Sequence, residues 1–161
     1  MHIVPVDQIP VAQPVDLDNP FETFKICKDL EMVCRSKQGL GLSAVQVGVP
    51  LKLFVFQEAG NYNYFANCEY KPVGEEQVGT LEGCLSLPNR FFRVKRWAEV
   101  EVTGQKLVLD DQKVPRFCAF SESMQTYVTG AKGNVFQHEI DHHNEILISD
   151  IGEEMFLYPP R

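Results

Sequence analysis

The stretch QHEIDHHNEI, residues 137–146, concentrates imidazole and carboxylate side chains near the end of the chain. On a helix, His138 and His142 would lie one turn apart on the same face. Two imidazoles in that geometry can hold one metal ion, and Glu139 stands where a general base would be needed. The same residues also fit a solvated polar helix end, so the motif alone leaves both interpretations open.

A second candidate is Cys84, which lies between a glycine and a leucine in EGCLSLP (82–88). It fits a buried thiol in a loop, a nucleophile with a histidine as its base, or a thiolate metal ligand. One cysteine and two histidines would make three protein ligands and leave one position open for water, as catalytic metal sites require. Such a donor set suits zinc, iron, cobalt or nickel rather than magnesium or calcium.

The segment GLGLSAVQ (39–46) matches the glycine spacing of a dinucleotide-binding loop. That motif requires a strand before it and a helix after it. Here a helix is predicted before the segment and a strand after it. We therefore interpret these residues as a helix end followed by a bend with flexible glycines.

The chain has 161 residues, of which 44% are hydrophobic and 23% charged, and we expect a single domain over residues 1–161. The net charge of −7 argues against a nucleic-acid-binding surface. There is no membrane-length apolar run and no signal-peptide pattern at the start, so we expect no membrane association and a cytoplasmic location. The five cysteines are scattered without a CxxC, which argues against a disulfide framework.

The pattern along the chain predicts an α+β fold. Asn19 and Pro20 supply the cap and first-turn proline of a helix that extends to about Lys37 and ends at Gly39. A later helix is predicted from about Ala131 to Asn144. Residues 71–80 are predicted to form a loop. Strands are predicted in LKLFVF (51–56), YNYFAN (62–67), FRVKRWAEVEVTG (92–104), QKLVLDDQKVPRFCAF (105–120) and MQTYVTG (124–130).

GLGLSAVQ, EGCLSLP and QHEIDH, in this order and at these distances, resemble the three signature motifs of the peptide deformylases. The similarity extends from Gly39 to about Asp150. It implies an α+β fold in which antiparallel strands surround a central helix that carries the HExDH motif. It also implies a metal-dependent hydrolase that removes the formyl group from the N-terminal formyl-methionine of nascent polypeptides and releases formate.

The resemblance assigns the reactive residues one by one. It implies that Cys84, His138 and His142 are the metal ligands and that Glu139 is the catalytic acid and base. Gln46 and the backbone N–H of Leu85 correspond to donors that stabilise the developing oxyanion. Asp141 is expected to support the site rather than to react.

The resemblance also assigns substrate-binding residues. Leu40, Gly41 and Gly83 correspond to positions that pair with the substrate backbone as an added strand. Leu40, Val135 and His138 are expected to wall the methionine pocket. A salt bridge between Glu82 and Arg96 is expected to support the cysteine loop.

The implied cofactor is one divalent metal, with ferrous iron as the native ion and zinc, nickel or cobalt as substitutes. The implied partners are formyl-methionyl nascent peptides, and action close to the ribosome is expected. We expect a monomer that binds no nucleic acid directly. The sequence ends 19 residues after His142, too few for the long C-terminal helix of many bacterial members, and in this it resembles trimmed members, some of them encoded by phages.

Some residues differ from the usual pattern near the substrate and the base. Ser43 stands where alanine is usual. Thr80 and Asn134, beside the expected methionine pocket, are more polar than usual, which we expect to alter fine specificity.

Other differences follow the ligand helix. His143 replaces an apolar residue, and we predict that it is a cation near the helix dipole. Glu145 replaces the glycine that usually closes the helix, and Asn144 is predicted to adopt the left-handed closing conformation instead.

Two other classes of function compete with this interpretation. A zincin-type metallopeptidase also uses HExxH and would need Glu145, Glu153 or Glu154 as its third ligand, but it leaves GLGLSAVQ and EGCLSLP unexplained. A catalytically inactive binding module is disfavoured because both Glu139 and Gln46 are present.

Overall fold

The structure, a computed structural model, describes residues 1–156 and confirms the α+β class. The last five residues of the predicted domain lie outside the described part, so its extent over 1–161 stays a prediction. The helices are α1 (Pro20–Ser36), α2 (Lys132–His143) and α3 (Ile148–Ile151), with 3-10 turns at Val6–Gln8 and Ala44–Val47. The strands are β1 (Gly41–Ser43), β2 (Leu53–Glu58), β3 (Asn61–Pro72), β4 (Gln77–Cys84), β5 (Leu87–Trp97), β6 (Glu99–Leu109), β7 (Pro115–Gln125) and β8 (Glu153–Met155).

The strands form two antiparallel sheets. The larger has the order β1-β2-β3-β6-β7, and the smaller has the order β4-β5-β8. Both β1 and β4 are therefore edge strands. Within residues 1–156, no helix has the length and apolar character that crossing a membrane requires.

The two long helices cover opposite faces of the larger sheet. Along β2, Leu53 and Val55 belong to the cluster that contains the buried face of α1, whereas Phe54 and Phe56 belong to the cluster that contains Phe136 of α2. Alternate residues of a strand point to opposite faces, so an unbroken apolar run is needed where both faces are covered. This packing places α2, which carries His138 and His142, on one face of the larger sheet and α1 on the other.

The first helix begins where the sequence predicts, and its C-cap at Lys37 agrees with the predicted extent, but the role predicted for Gly39 differs. Asn19 accepts a hydrogen bond from the Glu22 N–H at 3.4 Å, and Pro20 is the first helical residue. The helix ends at Ser36, and Gln38 takes the left-handed conformation with φ 55°. The prediction that Gly39 ends the helix is therefore wrong. A Cβ at Gly39 would lie 2.9 Å from the end of the Leu85 side chain, so a larger residue there would require that side chain to move.

The predicted loop at 71–80 is mostly strand, so that prediction is wrong. β3 continues to Pro72, which pairs with Val100, and β4 begins at Gln77, which pairs with Trp97. The glycines and the proline of this segment indicate turns locally, but pairing with distant strands overrides the local preference. Only four residues connect the two strands.

The end of α2 differs from both predictions made for it. Asn144 has φ −107°, whereas Glu145 has φ 62° and thus adopts the conformation expected of Asn144. His143 is buried, with its Nε2 3.4 Å from the Leu53 carbonyl oxygen and its ring 5.9 Å from that of Phe54. Burial lowers the pKa of His143 to about 4, so it packs as a neutral ring and not as a helix-end cation.

Candidate metal centre

Three potential metal donors meet where the end of β4 approaches α2. The donor atoms of Cys84, His138 and His142 all lie within 4.8 Å of one another, and Cys84 Sγ is 3.7 Å from His142 Nε2. The helical spacing brings the two imidazoles edge to face, with ring centroids 4.9 Å apart and ring planes at 80°. The pairing of β4 with β5 shifts register between Gly83 and Cys84, a local irregularity of the kind that redirects a side chain. One thiolate and two imidazoles fit a transition-metal ion.

Glu82 orients one of the histidines. Its Oε1 lies 2.8 Å from His138 Nδ1, which leaves Nε2 of that ring for a metal. Arg96 donates two hydrogen bonds of 2.8 Å to the same carboxylate, so the predicted salt bridge is confirmed. Burial opposes the charge of Glu82, but the hydrogen bonds from Arg96 and His138 outweigh it and hold the pKa well below its usual range.

Asp141 supports the site from the other side of Arg96. The Arg96 Nη1 donates to Asp141 at 2.6 Å, and the Tyr70 hydroxyl donates to it at 2.7 Å. The expectation that Asp141 is a supporting residue is confirmed by these contacts. Tyr70 was not identified from the sequence, because nothing local marks a tyrosine on a distant strand as its partner.

Glu139 is buried next to β1. The Ser43 hydroxyl donates to its Oε2 at 2.8 Å, a contact that the usual alanine could not make. A Cβ at Gly41 would lie 3.2 Å from Oε1, so glycine permits the backbone to approach this carboxylate closely. Burial raises the pKa of Glu139, which brings it toward the range in which a carboxylate both takes up and releases a proton.

The side-chain amide of Gln46 is held by hydrogen bonds between Ser43 on one side and Cys84 and Ser86 on the other. Its Oε1 accepts a hydrogen bond from the Ser43 N–H at 2.9 Å, which fixes which end of the amide is the donor. The Nε2 then lies 2.9 Å from Ser86 Oγ and 3.5 Å from Cys84 Sγ. Ser86 was not singled out in the sequence, although it belongs to the cysteine motif.

The site opens into a cleft of about 1110 Å³. Its lining includes every residue predicted for catalysis, substrate binding or metal binding, with the exception of His142. These lining residues are Leu40, Gly41, Gln46, Gly83, Cys84, Leu85, Val135, His138 and Glu139. The carbonyl of Leu40 accepts from the Gln57 N–H at 2.7 Å. In an antiparallel pair the next residue, Gly41, turns its peptide groups away from the partner strand, toward the open edge.

The glutamates that a zincin-type metallopeptidase would need as its third ligand do not belong to this donor cluster. In the part of the chain that the structure describes, the donor group contains none of Glu145, Glu153 and Glu154. Glu154 is paired with Arg90, with an Nη2–Oε1 distance of 2.8 Å. The zincin interpretation therefore lacks its ligand.

The chain matches the family model described as polypeptide deformylase over residues 9–155. It is 33% identical to a peptide deformylase of Treponema pallidum, an alignment that covers 87% of this chain and 78% of the relative. It is 28% identical to the chloroplastic peptide deformylase 1A of Solanum lycopersicum, with 88% of this chain but only 56% of that longer protein aligned.

The fold is also similar to that of a solved structure from Synechococcus phage S-SSM7, described as a probable peptide deformylase. The TM-score is 0.76 at 25% identity, and the match covers 92% of this chain and 97% of the phage chain. The family match spans nearly all of the described residues, and the fold and the donor cluster agree with it. The chain therefore belongs to the peptide deformylase family.

Proposed function

We propose that Cys84, His138 and His142 hold one divalent metal ion at which this chain carries out its reaction. The reaction is removal of the N-formyl group from nascent formyl-methionyl polypeptides, with release of formate. A bound metal supplies Lewis acidity, which lowers the pKa of water and polarises the formyl oxygen. The cluster of one thiol and two imidazoles beside a buried glutamate is the observation that carries the proposal.

Glu139 moves the proton. It takes one from the attacking water and returns it to the amine that leaves when the C–N bond of the formamide breaks. Ser43 holds Oε2 by its hydrogen bond, and Oε1 lies on the side of Gly41, which lines the cleft. The carboxylate is thus fixed in position while one oxygen stays available for the proton.

Gln46 and Leu85 stabilise the charge that develops on the formyl oxygen. The Gln46 amide is oriented by Ser43, so its Nε2 is directed toward the cysteine end of the cleft before substrate arrives. The backbone N–H of Leu85 is the second donor in this assignment. Donors that are already in place stabilise the transition state without a reorganisation cost.

The substrate binds along the two open strand edges. Gly41 on β1 and Gly83 on β4 present backbone groups to an extended peptide that adds as a strand. Leu40 and Val135 contribute apolar side chains beside His138, where the methionine side chain of the substrate would lie. Since the Leu40 carbonyl already accepts a hydrogen bond from the Gln57 N–H, Leu40 contributes to substrate binding mainly through its side chain.

The test is formate release from formyl-Met-Ala by metal-loaded protein. We expect stoichiometric formate and Met-Ala and no cleavage of an internal peptide bond in a longer formylated peptide. Cleavage at internal bonds would indicate a peptidase, and metal-dependent peptide binding without formate would indicate a binding module. Either result would overturn the proposed function.

Gln46→Ala is expected to lower kcat/KM by about 10²–10³-fold, because one donor to the developing oxyanion is lost. The matched control is Ser86→Ala, which removes the hydroxyl partner of Gln46 but keeps the amide. Steady-state kinetics with formyl-Met-Ala separates the two. Equal, small losses in both variants would show that the Gln46 amide does not stabilise the transition state.

The donor set suits zinc, iron, cobalt and nickel alike. We propose ferrous iron as the native ion, because an ion that readily accepts more than four ligands has room for substrate as well as water. Ferrous iron beside an oxidisable thiolate should lose activity in air, whereas a nickel form should persist and a zinc form should be slower. Turnover after anaerobic reconstitution with each ion, before and after air exposure, measures this. Equal, air-stable activity of the iron and zinc forms would contradict the assignment.

A cytoplasmic location, a monomeric state and action near the ribosome are further proposals. The location and the action near the ribosome follow from the substrate, because nascent formyl-methionyl chains are found where translation takes place. Sedimentation analysis of the purified chain tests the monomeric state.

A further inference from the structure

Five donor contacts surround the carboxylate of Glu82. Its Oε1 accepts from Arg96 and from the Nδ1–H of His138, each at 2.8 Å, since a carboxylate can only accept. Its Oε2 accepts from Arg96 Nε at 2.8 Å, from Thr80 Oγ1 at 2.6 Å and from Asn134 Nδ2 at 2.8 Å. Thr80 and Asn134 thus hold one oxygen of the group whose other oxygen orients His138.

The two residues reach Glu82 from different elements. Thr80 lies on β4 and Asn134 on α2, and each is only 3% exposed, so water cannot readily replace a lost hydrogen bond. The Asn134 Nδ2 is 3.4 Å from Thr80 Oγ1, and its Oδ1 accepts from the Gly130 N–H at 2.9 Å. The polar groups therefore point to Glu82 and to the start of α2. Asn134 also lines the cleft, and the expected effect of the two polar residues on methionine specificity stays a prediction.

Asn134 lies four residues before His138 on α2, on the same face of the helix. The hydrogen bond at Nδ1 decides which nitrogen of His138 faces Cys84 and His142, and in which ring orientation. Any rotation of the Glu82 carboxylate would move that bond. A rigid Glu82 is consequently a condition for a rigid His138.

We propose that Thr80 and Asn134 are positioning residues of the metal centre, which fix Glu82 and thereby hold His138 ready for ligation. The inference rests on the proposed function, because it presupposes that His138 binds a metal. It assigns a role to two side chains that are unusual for the family and that form no hydrogen bond to the metal donors or to Glu139.

Zinc affinity of the folded protein, measured by competition with a colorimetric chelator, tests the inference without using activity. Thr80→Val keeps the shape but removes the hydroxyl, and Asn134→Leu removes the amide. Each is expected to weaken zinc binding about 10-fold, the low end of the effect of outer partners on metal sites. Thr80→Ser retains the hydroxyl and should stay within about twofold of the unsubstituted chain.

The matched control is Thr126→Val. Thr126 is fully buried and its hydroxyl accepts from Gln137 on α2 at 3.1 Å, but it has no hydrogen bond to Glu82. The Thr126→Val substitution should lower the denaturation midpoint of the protein without changing its zinc affinity. Unchanged zinc affinity in Thr80→Val and Asn134→Leu, or an equal loss in Thr126→Val, overturns the inference alone. Failure of the unsubstituted protein to bind zinc overturns the proposed metal centre and this inference together.

Discussion

Glu139→Gln is expected to retain the bound metal and to reduce kcat by about 10²–10⁴-fold, since an amide cannot take up and return a proton. The substitution preserves size, and an amide oxygen can still accept the hydrogen bond that Ser43 donates at 2.8 Å. The loss should therefore reflect the proton transfer rather than a displaced side chain. The measurement is kcat with formyl-Met-Ala alongside the metal content of the same preparations.

Glu145→Gln is the matched control, because it makes the same chemical change at an exposed position just after α2. Its turnover and metal content should equal those of the unsubstituted chain. Loss of metal in this control would instead support the peptidase interpretation, in which Glu145 is a ligand. Near-normal turnover by Glu139→Gln would rule out its role as the base.

Cys84→Ser, His138→Ala and His142→Ala are each expected to abolish both metal retention and formate release. Three protein ligands characterise a catalytic site of this kind, so the loss of one leaves an incomplete set. Among residues 1–156, these are the only cysteine, histidine or acidic side chains whose donor atoms form a group close enough to hold an ion. Elemental analysis after dialysis against a weak chelator measures the metal per chain.

Cys118→Ser provides the control for the thiol, since Cys118 is an exposed free cysteine on β7. Metal content and turnover should be unaffected in this variant. If Cys84→Ser retained full metal and full activity, the assignment of its thiolate as a ligand would be disproved.

The ion pairs behind the ligands are better explained by orientation than by stabilisation. Arg96 is almost completely buried and joins Glu82 of β4 to Asp141 of α2. The desolvation of buried charges offsets much of their attraction, so such a cluster is weak support for net stability. Its geometric effect is direct, because it ties the strand that carries Cys84 to the helix that carries both histidines.

Local features of the sequence were sufficient to predict the elements on which the site is built. The cap at Asn19, the proline at the first helical position and the four-residue spacing of His138 and His142 depend only on neighbours within one or two turns. The residues next to Cys84 were not sufficient to decide whether it is a buried thiol, a nucleophile or a metal ligand. Similarity to three ordered motifs was needed to associate it with residues more than 50 positions away.

Tertiary structure decided what depends on burial and on distant partners. The sequence did not predict that His143 would pack beside Phe54 as a neutral ring, or that β3 and β4 would extend through the supposed loop at 71–80. The same is true of Thr80 and Asn134, which were predicted to lie beside the methionine pocket but were not predicted to form hydrogen bonds with Glu82. Composition and periodicity describe a residue's preference for water or for a helix. They do not specify which buried group from another element will satisfy its hydrogen bonds, and that choice is made only when the chain packs.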